Sequence, residues 1–292
     1  MRRPLLLLAL LAACSSSGGA PRAQLAAILS WCCWLQAPDV DQLAASPYAF
    51  VVIDYSRDGS AAGEFSRADI DRLHAAGKTA LAYLSLGEAE DYRFYWDPTW
   101  PFLSDENPDW PGNYAVEFWD DRWWDEAIGP YLDRILAAGF DGVYLDRVDA
   151  YWWWHEEKGV DARLSADRMA ALVERVAQYA RTRAGAGFVI CPQNGLGILD
   201  DASAAARDRY VATIDAVGIE SLYFNYVDAA DQAYRLAKLD ELDALGKRVF
   251  LLEYVDPSDW TDLFARVAAS GLGMVGYPAA PDAMLDELVL AP

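Results

Sequence analysis

The sequence predicts an α/β fold of one kind, a single (β/α)8 TIM barrel with a long, aromatic-rich loop after strand 3. Eight short apolar runs are each closed by polar residues and followed by a helical or loop segment. The 292 residues are enough to bury one large core. No linker or break in composition divides the chain into two packed α/β domains, the competing architecture.

The N-terminal 29 residues stand outside this pattern. Arg2 and Arg3 precede an apolar run, Leu5 to Leu11, which is too short to span a bilayer and has the form of a signal peptide. Leu11-Ala12-Ala13-Cys14 resembles the bacterial lipobox, in which the Cys is lipidated and becomes the first mature residue. Residues 1–13 are therefore expected to be a lipoprotein signal peptide, Cys14 the lipidation site, and 14–29 a flexible tether opening on Ser15 to Gly19. Residues 30–292 form the barrel. Export and lipid anchoring to a bacterial cell-envelope membrane follow, with plain secretion as the alternative.

The first strand is read at Ser30 to Gln36, before a short helix near Asp39 to Ala45. The second, Phe50 to Tyr55, leads into a helix over Ser66 to Ala76, where Ser66 and Asp69 have capping-box spacing and Gly77 is the stop. The third, Thr79 to Leu86, runs into Gly87-Glu88 and the long connection Glu90 to Arg122, rich in Trp, Pro and Asn. A helix near Trp123 to Ala138 stops at Gly139 and returns the chain to the fourth strand, Gly142 to Asp146. Its helix, Ser165 to Arg183, carries Met169, Leu172, Val173 and Val176 at helical spacing. The fifth strand is Phe188 to Cys191 and the sixth Ala216 to Phe224, before a helix near Ala230 to Leu245. Lys247 to Tyr254 and Gly273 to Tyr277 complete the set.

The formal charge of −21 argues against nucleic acid as partner and favours neutral or cationic ligands. Only His74 and His155 are present, neither at ligand spacing from a partner, so no metal or cofactor is expected. Cys32, Cys33 and Cys191 are read as buried thiols, and the domain as a monomer. Nine of the twelve Trp lie between Trp96 and Trp154.

In such a barrel the active site lies at the C-terminal ends of the strands. Asp54, Glu88, Asp146, Asn194, Glu220 and Glu253 are therefore expected to converge on one face. Carboxylates ringed by aromatics, without a metal cluster or a Ser–His or Cys–His pair, suit glycoside hydrolysis. One acid attacks or stabilises the anomeric carbon while another protonates the departing oxygen, and rings offer flat faces to the C–H faces of sugars.

Several motifs in the same order are more specific than this. Val52-Ile-Asp-Tyr55, Tyr83-Leu-Ser-Leu-Gly-Glu-Ala-Glu-Asp-Tyr-Arg93 with Tyr95-Trp96, Trp110-Pro-Gly-Asn-Tyr114, Gly139-Phe-Asp-Gly-Val-Tyr-Leu-Asp146 with Asp149, and Pro192-Gln-Asn194 resemble the endo-α-1,4-polygalactosaminidase family, glycoside hydrolase family 114. The resemblance runs from about Trp31 to Tyr277. It implies a (β/α)8 barrel that cleaves α-1,4-linked galactosamine polymers internally, with acids from strands four and six. By position Asp146 would be the nucleophile and Glu220 the acid/base. Asp54, Tyr55, Glu88, Asp149, Asn194, Glu253 and Tyr254 would shape the sugar site, Asp149 also orienting Arg147. The implied partner is a galactosamine-containing extracellular polysaccharide, whose free amines an acidic cleft would attract. Retention of configuration is expected, with carboxyl groups ~5–5.5 Å apart rather than the ~6.5–9.5 Å of inversion. A barrel hydrolase of another glycan, or a glycan-binding lipoprotein that does not cut, are the alternatives.

Overall fold

The computed structural model describes residues 21–226 and 228–291. The chain supplies β1 (Trp31–Trp34), β2 (Phe50–Ile53) and β3 (Thr79–Ser85) before entering the long loop. Within that loop β4 (Glu88–Glu90), β5 (Leu103–Glu106) and β6 (Asn113–Val116) form a small antiparallel sheet with β6 in the middle. The main strands resume with β7 (Gly142–Asp146), β8 (Val189–Pro192), β9 (Ala216–Glu220), β10 (Arg248–Tyr254) and β11 (Met274–Ala279).

The main strands pair in parallel and in chain order, β1-β2-β3-β7-β8 in one sheet and β9-β10-β11 in the other. This is the expected order and connectivity of a (β/α)8 barrel. The sheets join where Asn194 N donates to Gly218 O at 2.8 Å and Asp215 N to Ile190 O at 2.9 Å. On the other side, no strand pairing links β11 to β1 among the described residues. There the Trp31 indole donates to Val275 O at 2.9 Å. The irregular stretch 280–291 also runs along this seam, with Leu285 O accepting from Leu35 N and Val289 O from the Tyr48 hydroxyl.

Side chains alternate along a strand, so every second residue points inward. Phe50 and Phe250, from β2 and β10, stack across the interior with centroids 4.3 Å apart, and Trp31 packs against Phe250, Tyr144 and Tyr277. Gly218 on β9 must lack a side chain, because a Cβ there would collide with the Tyr144 hydroxyl. The three cysteines of the barrel are free and buried.

The capping box at Ser66 forms as its spacing suggests, Ser66 N and Asp69 N each donating to the other's side chain. Gly139 ends the helix Gly129–Ala138 at φ 89°. Met169, Leu172, Val173 and Val176 are buried along Ala162–Ala184. Three helices of nine residues or more were not legible. The Trp-rich block forms Ala150–Lys158, and Ala204–Thr213 and Trp260–Ser270 follow β8 and β10. Ala204–Thr213 carries a weak apolar stripe, whereas Trp260–Ser270 is clearly amphipathic, with Leu263 buried and Trp260 and Val267 packed on the core. The sixth main strand stops at Glu220 rather than Phe224, since Ser221 turns the chain at φ 51°. No helix follows β11 among the described residues.

The predicted signal peptide and Cys14 lie outside the described residues. The predicted tether is corrected where it is described: residues 21–29 are docked rather than loose, with Leu25 and Ile28 buried against the barrel. Two apolar side chains spaced to reach the core outweigh the Ser/Gly composition that precedes them.

Candidate active site

Three main strands end in a reversal of the chain. Arg147 after β7, Asn194 after β8 and Ser221 after β9 all adopt left-handed φ, at 56°, 55° and 51°. Such conformations cost free energy in non-glycine residues and recur where a site is built. At Arg147 the turn aims the backbone N–H at the preceding residue, so that it donates to Asp146 Oδ1 at 2.8 Å. The Tyr83 hydroxyl, from β3, donates to Asp146 Oδ2 at 2.7 Å. Both carboxylate oxygens are thus held by donors.

Glu220, at the end of β9, is held in the same manner. Asn194 Nδ2 donates to its Oε1 at 2.8 Å and the Tyr254 hydroxyl to its Oε2 at 2.9 Å. Burial, and next the nearby negative charges, push the Tyr83 and Tyr254 hydroxyls well above their ordinary range, so both remain donors. Asp146, Glu220, Tyr83, Asn194 and Tyr254 each keep a partly open edge, whereas the residues beneath them are buried. Burial of its carboxyl raises Asp146 to about 7, and the charge of Glu220 adds to the rise. Two coupled carboxyls on one face, each oriented by hydroxyl or amide donors, can perform acid/base and nucleophilic work on a sugar acetal.

Asn194 and Tyr254 therefore meet at Glu220, while Asp149, part-exposed, lies 3.6 Å from Arg147 Nη1. Four other residues expected at the sugar site are buried among protein partners. Asp54 is buried and bound by both terminal nitrogens of Arg93 at 2.7–2.8 Å, with Arg93 Nε on Glu90 at 2.7 Å, so it pins the long loop to β2. Glu88 is buried between Arg147 Nε, at 2.9 Å, and Asn107 Nδ2, at 3.0 Å. Tyr55 is 2% exposed, packs on Tyr131 and donates to Gly59 O. The Arg93 guanidinium that binds Asp54 also lies over the Tyr55 ring, 5.6 Å from the centroid. Glu253 is fully buried and accepts the amides of Leu222 and Tyr223. It alternates with Tyr254 along the strand.

Tyr83 was not singled out as a site residue by sequence. Its signal was register: Tyr83 pairs with Tyr144, two residues before Asp146 on the same face. The Trp cluster is largely structural. Trp100, Trp123, Trp124 and Trp154 are buried, and Trp110 and Trp152 are the two substantially exposed indoles, 47% and 40% open.

One family model matches nearly the whole chain. The profile of glycoside-hydrolase family GH114 matches residues 12–282. An uncharacterized protein of Methanocaldococcus jannaschii is 37% identical over 272 residues, covering 88% of this chain and 77% of that protein. The glycoside hydrolase domain of PelA from Pseudomonas aeruginosa superposes with a TM-score of 0.65 at 20% identity, over 89% of this chain and 96% of that one. Aspergillus fumigatus Ega3, in complex with galactosamine, superposes at 0.64 with 18% identity, over 86% and 91% of the two chains.

Proposed function

Since the chain belongs to glycoside hydrolase family GH114, we propose that it is an endo-acting hydrolase of α-1,4-linked, galactosamine-containing extracellular polysaccharide, with Asp146 as nucleophile and Glu220 as acid/base. The observation that carries this is the pair itself: two coupled carboxyls at the ends of β7 and β9, each gripped by donors that fix its direction. The substrate class draws support from Ega3, solved with galactosamine, and from the charge of the loops that surround the pair. Segment 86–122 alone holds ten acids and two arginines, a setting that attracts a polycation.

In the first step an Asp146 oxygen bonds to the anomeric carbon. The glycosidic C–O bond breaks, and Glu220 gives its proton to the departing oxygen. In the second, Glu220 takes a proton from water, the water oxygen bonds to the anomeric carbon, and Asp146 leaves. Tyr83 and the Arg147 amide stabilise Asp146 as an anion in both its free states. The product retains configuration, which NMR of the first-formed anomer reads directly.

The decisive experiment is release of reducing ends from a purified galactosamine polymer by wild type, Asp146→Asn and Glu220→Gln. Loss of roughly 10²–10⁴-fold in either variant is expected. Binding without release by the wild type would overturn the hydrolytic assignment of this substrate. Rising ionic strength should weaken activity on a deacetylated polymer more than on an acetylated one. The same reading includes lipidation at Cys14, tested by incorporation of labelled palmitate into the full chain and its loss in Cys14→Ser.

A further inference from the structure

The described N-terminal residues are locked to the barrel at one end. Arg22 N donates to Gly187 O at 3.2 Å, and Arg22 Nε pairs with Asp215 at 2.5 Å. Arg248 donates to Ile28 O, and Leu25 and Ile28 are buried. Gly187, Asp215 and Arg248 stand at the starts of β8, β9 and β10, the face opposite Asp146 and Glu220.

Charge is divided along the same axis. The loops that leave the C-terminal ends of the strands are strongly acidic, from segment 86–122 to Asp200, Asp201, Asp228, Asp256 and Asp259. The connections that enter the strands carry Arg22, Lys78 and Lys247. Their two acids are already paired, Asp141 with His74 and Asp215 with Arg22 and Arg181. One end of the barrel therefore repels an anionic surface and the other does not.

We propose that the protein stands on an anionic phospholipid membrane on the N-terminal face of its barrel, with the catalytic cleft turned away from the lipid. This rests on the reading that Cys14 carries the lipid. Seven peptide steps join Cys14 to Pro21 and span at most about 25 Å even when fully extended. That reach begins at the face opposite the acids, and strands of four to seven residues add roughly 13–23 Å before the catalytic ends. A short leash at the base and repulsion at the top act together. The cleft then meets polymer arriving from outside rather than glycan lying on the membrane.

The test uses the full-length lipidated protein in vesicles of phosphatidylethanolamine and phosphatidylglycerol. Single cysteines at exposed positions, Ala186→Cys at the base and Asp109→Cys on the long loop, receive a fluorophore. The native barrel thiols are buried and should not compete. With an acceptor dye on the lipid headgroups, the label at 186 is expected to be quenched and the label at 109 to retain its emission. Equal quenching of both, or stronger quenching at 109, overturns the orientation while leaving the anchor intact. If the full chain fails to float with the vesicles and Cys14→Ser behaves alike, the anchor reading falls and the orientation with it.

Discussion

Glu253 holds the turn that follows Glu220: its Oε1 accepts the amide of Tyr223 at 2.7 Å and that of Leu222 at 2.9 Å. From the other side Arg235 donates to the carbonyl oxygens of Glu220 and Ser221. The proposed acid/base is thus clamped through its backbone as well as its carboxylate. A buried carboxyl is used here as a bracket for amides that would otherwise lack partners.

Removing that bracket should be costly. Glu253→Ala leaves two buried amides unsatisfied, at about 1–3 kcal/mol each, and should lower both melting temperature and kcat, with less effect on KM. Glu253→Gln retains an acceptor and tests the charge. Burial raises Glu253 to about 7 from 4.5, so the folded state holds a proton that the unfolded state releases between those values. Its contribution is full below pH 4.5 and is lost as pH rises through about 7. Glu253→Gln should therefore gain melting temperature relative to wild type between pH 5 and pH 8. A constant difference across that range would show that Glu253 is not titrating.

Asp146 should set the acid limb of catalysis. It must be ionised to attack, and burial followed by the charge of Glu220 places it near 7, so kcat/KM should fall as pH drops below that value. Glu220→Gln removes one of the causes that raise it, leaving burial and the charge of Asp149, and should shift the limb to lower pH. An oligogalactosaminide with an activated leaving group, which does not need protonation, allows this variant to be followed. An unmoved limb would mean that the two carboxyls are uncoupled.

Tyr83→Phe deletes the donor on Asp146 Oδ2 without opening a large cavity. That hydrogen bond lowers the Asp146 value against the effect of burial, so its loss should move the acid limb upward, opposite to Glu220→Gln. A fall in kcat of roughly 5- to 30-fold corresponds to losing ~1–2 kcal/mol of carboxylate stabilisation. Unchanged kcat with a raised KM would instead make Tyr83 a sugar contact.

These residues also show what the chain discloses before it is folded. Apolar runs ending in Asp146 and Glu220 were readable because buried parallel strands are continuous and end at the site. Which neighbours face that site depends on alternation. A one-residue step separates Tyr254, which reaches Glu220, from Glu253, which is buried beneath it, and the left-handed turns at Arg147 and Ser221 are unmarked by glycine. The Trp-rich loop was visible as composition. Its antiparallel sheet was not, since β5, Leu103–Glu106, is largely polar and β4 only three residues long.

Arg93 ties that loop to the barrel, and its removal gives the largest structural effect expected here. Its guanidinium is 1% exposed between Asp54 and Glu90, so Arg93→Ala would leave two buried carboxylates facing one another. Breaking such a group by removing one member costs about 3–5 kcal/mol, enough to release the loop before the barrel unfolds. Burial already raises Asp54, opposed by Arg93, and without the cation it should take up a proton. Proteolysis should then cut within 88–116 first, and lowering the pH should slow that cleavage as Asp54 neutralises. Digestion at pH 5.5 and 7.5 with mass spectrometry of the fragments checks this, and uniform resistance of the loop in Arg93→Ala would show that its aromatic packing suffices to hold it.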